Sequence, residues 1–203
     1  MTGQVDLSYT DQLFRHLATS EIDGGRIEVQ AGLTVHELQQ AQARYGFHFP
    51  PDLAELLSIA LPVSLNPRGW GFPNWRAPDE RLDEQVRAPT EDLIAAAGRG
   101  FWLPAWGRKP SSAAKGADQL RTLLAAAPRL IPVFSHRYLA DRPLAAGNPV
   151  FSVAGVDVII FGNDLSDYFA TEFKAPPRPW PKQTTTFVDF WSPLVDALNQ
   201  PIR

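Results

Sequence analysis

The chain has 203 residues, 44% of them hydrophobic and 20% charged, with a formal net charge of −3 and a pI near 5.8. That is enough for one domain with a sizeable core, and the charge argues against a broad phosphate-binding surface, which needs clustered Lys and Arg. Cysteine is absent, which excludes disulfides, thiolate nucleophiles and every Cys-based zinc site. No apolar run approaches about 18 residues, so no membrane-spanning helix is expected. The opening MTGQVDLSYTDQLF has neither the basic nor the apolar region of a secretory leader. A cytoplasmic protein is the simplest reading, with a Cys-free secreted one as the alternative.

In chain order, Leu7, Leu13, Phe14 and Leu17 predict a short helix over 6–19. Gly24-Gly25 then turns into an extended piece, Arg26–Val29. Thr34 and Glu37 have the spacing of a capping box, Leu33 can staple onto Leu38, and Gly46 supplies a left-handed exit. Pro51 suits the first position of a second helix with Leu53, Leu56, Leu57 and Ala60 on its apolar face. Leu61–Arg76 fits neither helical nor strand periodicity and reads as a loop carrying Trp70, Phe72 and Trp75. Asp79–Glu84 opens a short helix and Thr90–Ala97 another, while Gly100–Gly107 is a second aromatic loop with Phe101, Trp102 and Trp106. Ser111–Gly116 reads as a mobile, protease-sensitive loop before a helix over Ala117–Ala127 that Pro128 ends.

Leu130–Phe134 is an apolar run of buried-strand character. Val150–Val153 and Val156–Phe161 predict a hairpin turning at Ala154-Gly155. Asp164 is placed to cap a helix with Leu165, Tyr168, Phe169 and Phe173 on one face. A Pro-rich connector, Lys174–Thr186, leads to Phe187, Phe190, Trp191, Leu194 and Leu198, a closing helix restarted at Ser192-Pro193 that should dock back on the domain. The expected division is an N-terminal helical extension over 1–30, an α+β domain over 31–173, and the connector with its C-terminal helix over 174–203.

Catalytic chemistry is sparsely represented. His136, beside Arg137 and Tyr138, is placed either to act as a base or anion ligand or simply to hydrogen-bond its loop, and the structural reading is preferred. His16, His36 and His48 lack metal-ligand spacing. Asp164 and Asp167 are the carboxylates expected at any helix start. Ser135, Ser152 and Ser166 sit in no nucleophile elbow, and Gly69-Trp70-Gly71 and Gly98-Arg99-Gly100 are too short to cradle a phosphate. We therefore expect no catalytic residue, metal or cofactor. The aromatic loops offer more: Trp70, Phe72, Trp75, Trp102 and Trp106 either line a ligand groove, supply partner hot spots, or plug the core beneath Pro-rich loops. Asp79, Glu80, Asp83 and Glu84, with Glu91 and Asp92, either face a basic partner or form a solvated helix surface.

Taken in order, Gly32-Leu33-Thr34, Glu37 and Gly46-Phe47-His48-Phe49-Pro50-Pro51-Asp52-Leu53 with Leu56-Leu57 resemble the opening signature of the SUKH superfamily. That superfamily includes the yeast Smi/Knr cell-wall regulators and many bacterial immunity proteins. Phe72-Pro73-Asn74-Trp75-Arg76, Gly100-Phe101-Trp102-Leu103-Pro104, Pro128–Pro132, His136–Leu139, Asn148–Val153 and Phe161–Leu165 are similar to a longer branch of it. The chain departs from that pattern at Ile160-Phe161, where many relatives have two aromatics before the glycine. The resemblance implies an α+β fold with a mostly antiparallel sheet flanked by helices, and protein binding without catalysis. The partner it implies is a cognate nuclease- or deaminase-type toxin; the charge and the lack of a long apolar run separately lead us to expect no direct nucleic-acid binding and no membrane contact. A regulatory scaffold using the Pro-rich segment and a small-ligand binder are the alternatives. On this reading the partner face comprises Trp70, Phe72, Trp75, Arg76, Asp79, Glu80, Asp83, Glu84, Trp102 and Trp106.

Overall fold

The computed structural model describes residues 7–22, 25–65, 69–176 and 184–199, and its fold is α+β. Helix α1 (Leu7–Thr19) leads into β1 (Glu21–Ile22) and β2 (Gly25–Ala31), followed by α2 (Val35–Tyr45), α3 (Pro51–Ile59) and β3 (Ala60–Leu65). Leu13, Phe14 and Leu17 of α1 are buried against an antiparallel β1-β2-β3 sheet. The β2–β3 register runs from Arg26↔Leu65 to Ala31↔Ala60, so β2 lies across the boundary expected near residue 31.

The local signals around α2 and α3 are realised as written. Thr34 Oγ1 accepts the Glu37 N–H at 3.2 Å, and the Glu37 carboxylate accepts the Thr34 N–H at 2.7 Å, which closes the capping box. Gly46 ends α2 at φ +69°, and Pro51 is the first residue of α3. Between β2 and α2 the chain crosses α3 so closely that a Cβ on Gly32 would lie 2.0 Å from the Ser58 carbonyl oxygen. Only hydrogen fits there, and the adjacent Leu33 N–H donates to the Leu57 carbonyl at 2.8 Å.

The expected loop over 61–76 begins instead with β3. Its Pro62 is tolerated because β3 is an edge strand, where a missing N–H need break no ladder. Where two short helices are expected, α4 (Glu80–Gly98) is continuous through Pro89. A mid-helix proline deprives the carbonyl four residues earlier, here Gln85, of its donor. Tyr138 supplies one: its fully buried hydroxyl donates to the Gln85 carbonyl at 3.1 Å. The Gln85 side chain also donates to the Ser135 carbonyl at 2.7 Å, tying the middle of α4 to the turn between the next two strands.

After a 3-10 turn at Pro104–Trp106 comes α5 (Ala113–Ala126). Ser112 Oγ accepts the Lys115 N–H at 3.3 Å, so the segment expected to be a mobile loop is a capped first turn, with Gly116 already buried. The strands β4 (Leu130–Phe134), β5 (Arg137–Ala140), β6 (Val150–Ala154) and β7 (Asp157–Gly162) form an antiparallel sheet in that order, separate from the first. The β6–β7 hairpin matches expectation, whereas β5 has no counterpart in the sequence reading. Asp164 caps α6 (Leu165–Phe173) by accepting the Asp167 N–H at 2.8 Å. The last helix, α7 (Trp191–Leu198), starts one residue before the expected cap. The Ser192 hydroxyl accepts the Val188 N–H, and Pro193 falls in the first turn, where its missing N–H is harmless. Trp191 and Leu194 are fully buried, and the Trp191 indole donates to the Pro128 carbonyl at 2.7 Å. Phe187, expected to dock with them, stays 60% exposed.

Alternation along the four-stranded sheet divides the core. Ile131, Val133, Leu139 and Val150 face a cluster built with α1, α2, α3, α6 and the β2–β3 pair. Leu130, Tyr138, Ala140, Phe151, Val153 and Val158 face a second cluster built with α5 and α7. Among the described residues no helix is long and apolar enough to cross a membrane.

Two substitutions test this packing. Trp191→Ala should cost about 3–5 kcal/mol in urea unfolding, the range for a buried aromatic. Tyr138→Phe should cost roughly 1–3 kcal/mol, because it leaves the buried Gln85 carbonyl without a donor. A double-mutant cycle should show that cost shrinking in a Pro89→Ala background, where a restored backbone N–H can reach the same carbonyl.

Candidate functional site

The ten residues expected to form a partner face are not one surface. Trp75 is buried, with the Phe47, Phe49 and Tyr45 rings edge-on to it at 5.2–5.8 Å. Phe72 is buried too, stacked on Phe173 at 5.4 Å and close to Phe134 at 4.9 Å. Trp106 belongs to the other cluster, packed edge-on against Phe101 and Trp102 and parallel to Phe190. These three rings are core, which rules them out as partner anchors, and with Trp75 and Trp106 in separate clusters the expected aromatic residues line no shared groove among the described residues. Large rings in Pro- and Gly-rich loops were drawn inward by the area they bury. Trp70 and Trp102 remain half-buried, and the Trp102 indole donates to the Gly107 carbonyl at 2.9 Å.

Three of the polar residues have structural partners. Arg76 donates through Nε to Glu37 at 2.7 Å and through its terminal nitrogens to Gln30 and to the Ala31 and Gly32 carbonyls, clamping its loop onto the β2–α2 corner. Hydrogen bonds from Arg76 and from Thr34 hold the Glu37 carboxyl down at about 2. Asp79 is the N-cap of α4, accepting the Leu82 N–H at 3.0 Å. Asp83 accepts from the Tyr45 hydroxyl at 2.7 Å and from Arg44 at 2.9 Å, and these bonds keep its carboxyl below the usual range. Glu80 and Glu84 are exposed and have no ion-pair partner among the described residues.

The His136–Arg137 pair is structural as well. Arg137, only 11% exposed in its side chain, pairs with Glu172 at 3.0 Å, donates to Ser152 at 2.9 Å and lies 3.9 Å from the Phe161 ring centre. Its charge is thus met from three directions. Burial, then the Arg137 charge, pushes the His136 imidazole below its ordinary value, and its Nδ1 is 3.1 Å from Ser135 Oγ. Asp164 and Asp167 are both spent on the start of α6, as the caps of Asp167 and Asn163. Among the described residues no three His, Asp or Glu side chains are grouped to hold a metal.

Openings flank α4, and two of them bear on function. A recess of about 90 Å³ lies beside its N-terminus and brings together Trp70, Asn74, Asp79 and Arg81 over buried Phe72. Glu80 and Glu84 follow on the same stretch of helix. A larger cleft of about 330 Å³ lies between the second half of α4 and α5, with Val86, Arg87, Thr90 and Ile94 on one wall and Arg121, Leu124 and Ala125 on the other. Sequence reading passed over this cleft because its residues are scattered between 45 and 191. The one usable signal, Val86-Thr90-Ile94 at helical spacing, is visible only once α4 is known to be continuous.

Neither protein families nor curated proteins nor solved structures contain a match to this chain, so the SUKH resemblance rests on the sequence motifs alone.

The Arg76 clamp predicts a pH dependence. Glu37 has a folded-state pKa near 2 against about 4.5 free, so the stability it contributes is present above 4.5 and is lost as pH falls towards 2. Glu37→Gln should therefore be less stable than the parent at pH 7, and the gap should close between about pH 5 and pH 2. Urea midpoints measured across that range check it.

Proposed function

We propose that this chain is a non-catalytic protein-binding domain, an immunity protein of the SUKH kind that neutralises a cognate nuclease- or deaminase-type toxin. The observation supporting it is the recess at the N-terminus of α4, where half-buried Trp70 stands beside a hollow lined by Asn74, Asp79 and Arg81, with the exposed carboxylates Glu80 and Glu84 on the same turns of the helix. A Trp flanked by a small pocket is the usual composition of an interface hot spot, and unpaired carboxylates raise the encounter rate with a basic surface. On this reading the partner face centres on Trp70, with Asn74, Asp79 and Arg81 around the recess and Glu80 and Glu84 on the adjoining helix surface. Of the alternatives, the Smi/Knr-type scaffold relies on the 174–186 connector, most of which, 177–183, lies outside the described residues.

The test is a tagged pull-down from native host lysate after cross-linking, with Trp70→Ala/Glu80→Lys/Glu84→Lys in parallel. The parent should retain one near-stoichiometric basic protein, and the triple variant, equally stable to urea, should retain at least tenfold less. No partner with the parent, or equal retention by the variant, would sink this reading.

A further inference from the structure

The cleft between α4 and α5 has a composition at odds with the chain as a whole. Its lining includes three arginines, Arg87, Arg121 and Arg129, and no carboxylate, in a chain of net charge −3. Its floor is apolar and firmly held: Leu124, Leu130 and Trp191 are each buried. The volume of about 330 Å³ is that of a small-molecule site rather than of a packing defect.

The arginines are also available. Among the described residues Arg87 and Arg121 are paired with Glu91 and Asp118, their own neighbours one turn away, and both pairs are exposed. Such surface pairs hold their partners weakly and are readily exchanged for a bound anion. Arg129 donates one N–H to the Tyr45 carbonyl at 2.7 Å and has no ion-pair partner among the described residues, which fixes the guanidinium at the cleft without neutralising it. Guanidinium groups around an apolar floor match a ligand with a carboxylate or phosphate head and an apolar body.

We infer that this cleft is a binding site for a small, soluble organic anion whose apolar part rests on Leu124, Leu130 and Trp191 while its charged head is held by Arg87, Arg121 and Arg129. The site does not depend on the partner face at the other end of α4, and either can fail without the other.

The probes are 1-anilinonaphthalene-8-sulfonate and N-phenyl-1-naphthylamine, the same ring body without the sulfonate. Titrated against the full chain, the sulfonate should saturate at one site, and the neutral amine should bind at least tenfold more weakly. Arg87→Gln/Arg121→Gln, at exposed positions, should weaken the sulfonate at least tenfold. Ala125→Trp, which fills the cleft from an exposed position of α5, should abolish its binding. Equal affinity for both probes, or sulfonate binding untouched by either variant, would overturn the assignment. Co-sedimentation with phosphatidylglycerol vesicles separates a free acid from a membrane lipid. None is expected, and vesicle binding that disappears in Arg87→Gln/Arg121→Gln would overturn the soluble-ligand assignment.

Discussion

Strands β4 and β5 of the four-stranded sheet are buried on both faces, and most of the molecule follows from that. A strand covered on one side alternates apolar and polar residues, but a strand covered on both must be apolar nearly throughout. Runs such as Leu-Ile-Pro-Val-Phe in β4 therefore need two partners, and they have them in the layer of α1, α2, α3 and α6 on one side and in α5 and α7 on the other. The demand extends to polar atoms. Tyr138 is fully buried, so its hydroxyl must find an acceptor, and the carbonyl it finds is the one Pro89 has deprived of a donor. A proline that would interrupt an isolated helix is thus compatible with a continuous α4 because a strand residue some fifty positions away completes its bonding.

This divides what could be read in the sequence from what could not. The Thr34–Glu37 box, the Pro51 start and the Asp164 cap are interactions within a few residues, decided by local backbone chemistry, and each is present. The features missed all depend on distant partners. β3 contains Pro62 and looks like loop punctuation until β2 is known to lie along one side of it and nothing along the other. β5 has only four residues, and it follows a turn in which Ser135 takes φ +50°, a conformation no side-chain pattern announces. The two short helices expected from Asp79–Glu84 and Thr90–Ala97 are one helix, and the Pro89 between them is accommodated by Tyr138.

The candidate site shows the same limit. Trp70 and Trp75 sit in one Gly- and Pro-rich stretch and are locally indistinguishable, yet one is half-exposed and the other is enclosed by three rings from residues 45 to 49. What separates them is Arg76, whose bonds to Glu37, Gln30 and two carbonyls pull the second half of the loop against the β2–α2 corner. The carboxylates divide on similar grounds. Asp79 and Asp83 fall where a helix N-terminus and the Arg44–Tyr45 pair can use them, while Glu80 and Glu84 point away from both.

α4 is consequently the element on which surface chemistry and internal constraint meet. Gln85 and Pro89, near its middle, are buried, and two hydrogen bonds, from the Gln85 side chain to the Ser135 carbonyl and from the Tyr138 hydroxyl to the Gln85 carbonyl, fix the helix in rotation. With that rotation set, the start of the helix presents Asp79 and Arg81 to the Trp70 recess and leaves Glu80 and Glu84 exposed, and the following turns present Arg87, Thr90 and Ile94 to the cleft shared with α5. Two openings on successive turns of one helix would blur together on a mobile segment, but on a fixed one they are separate surfaces. A partner meeting either surface has little backbone order to impose, so more of its contact energy is expressed as affinity.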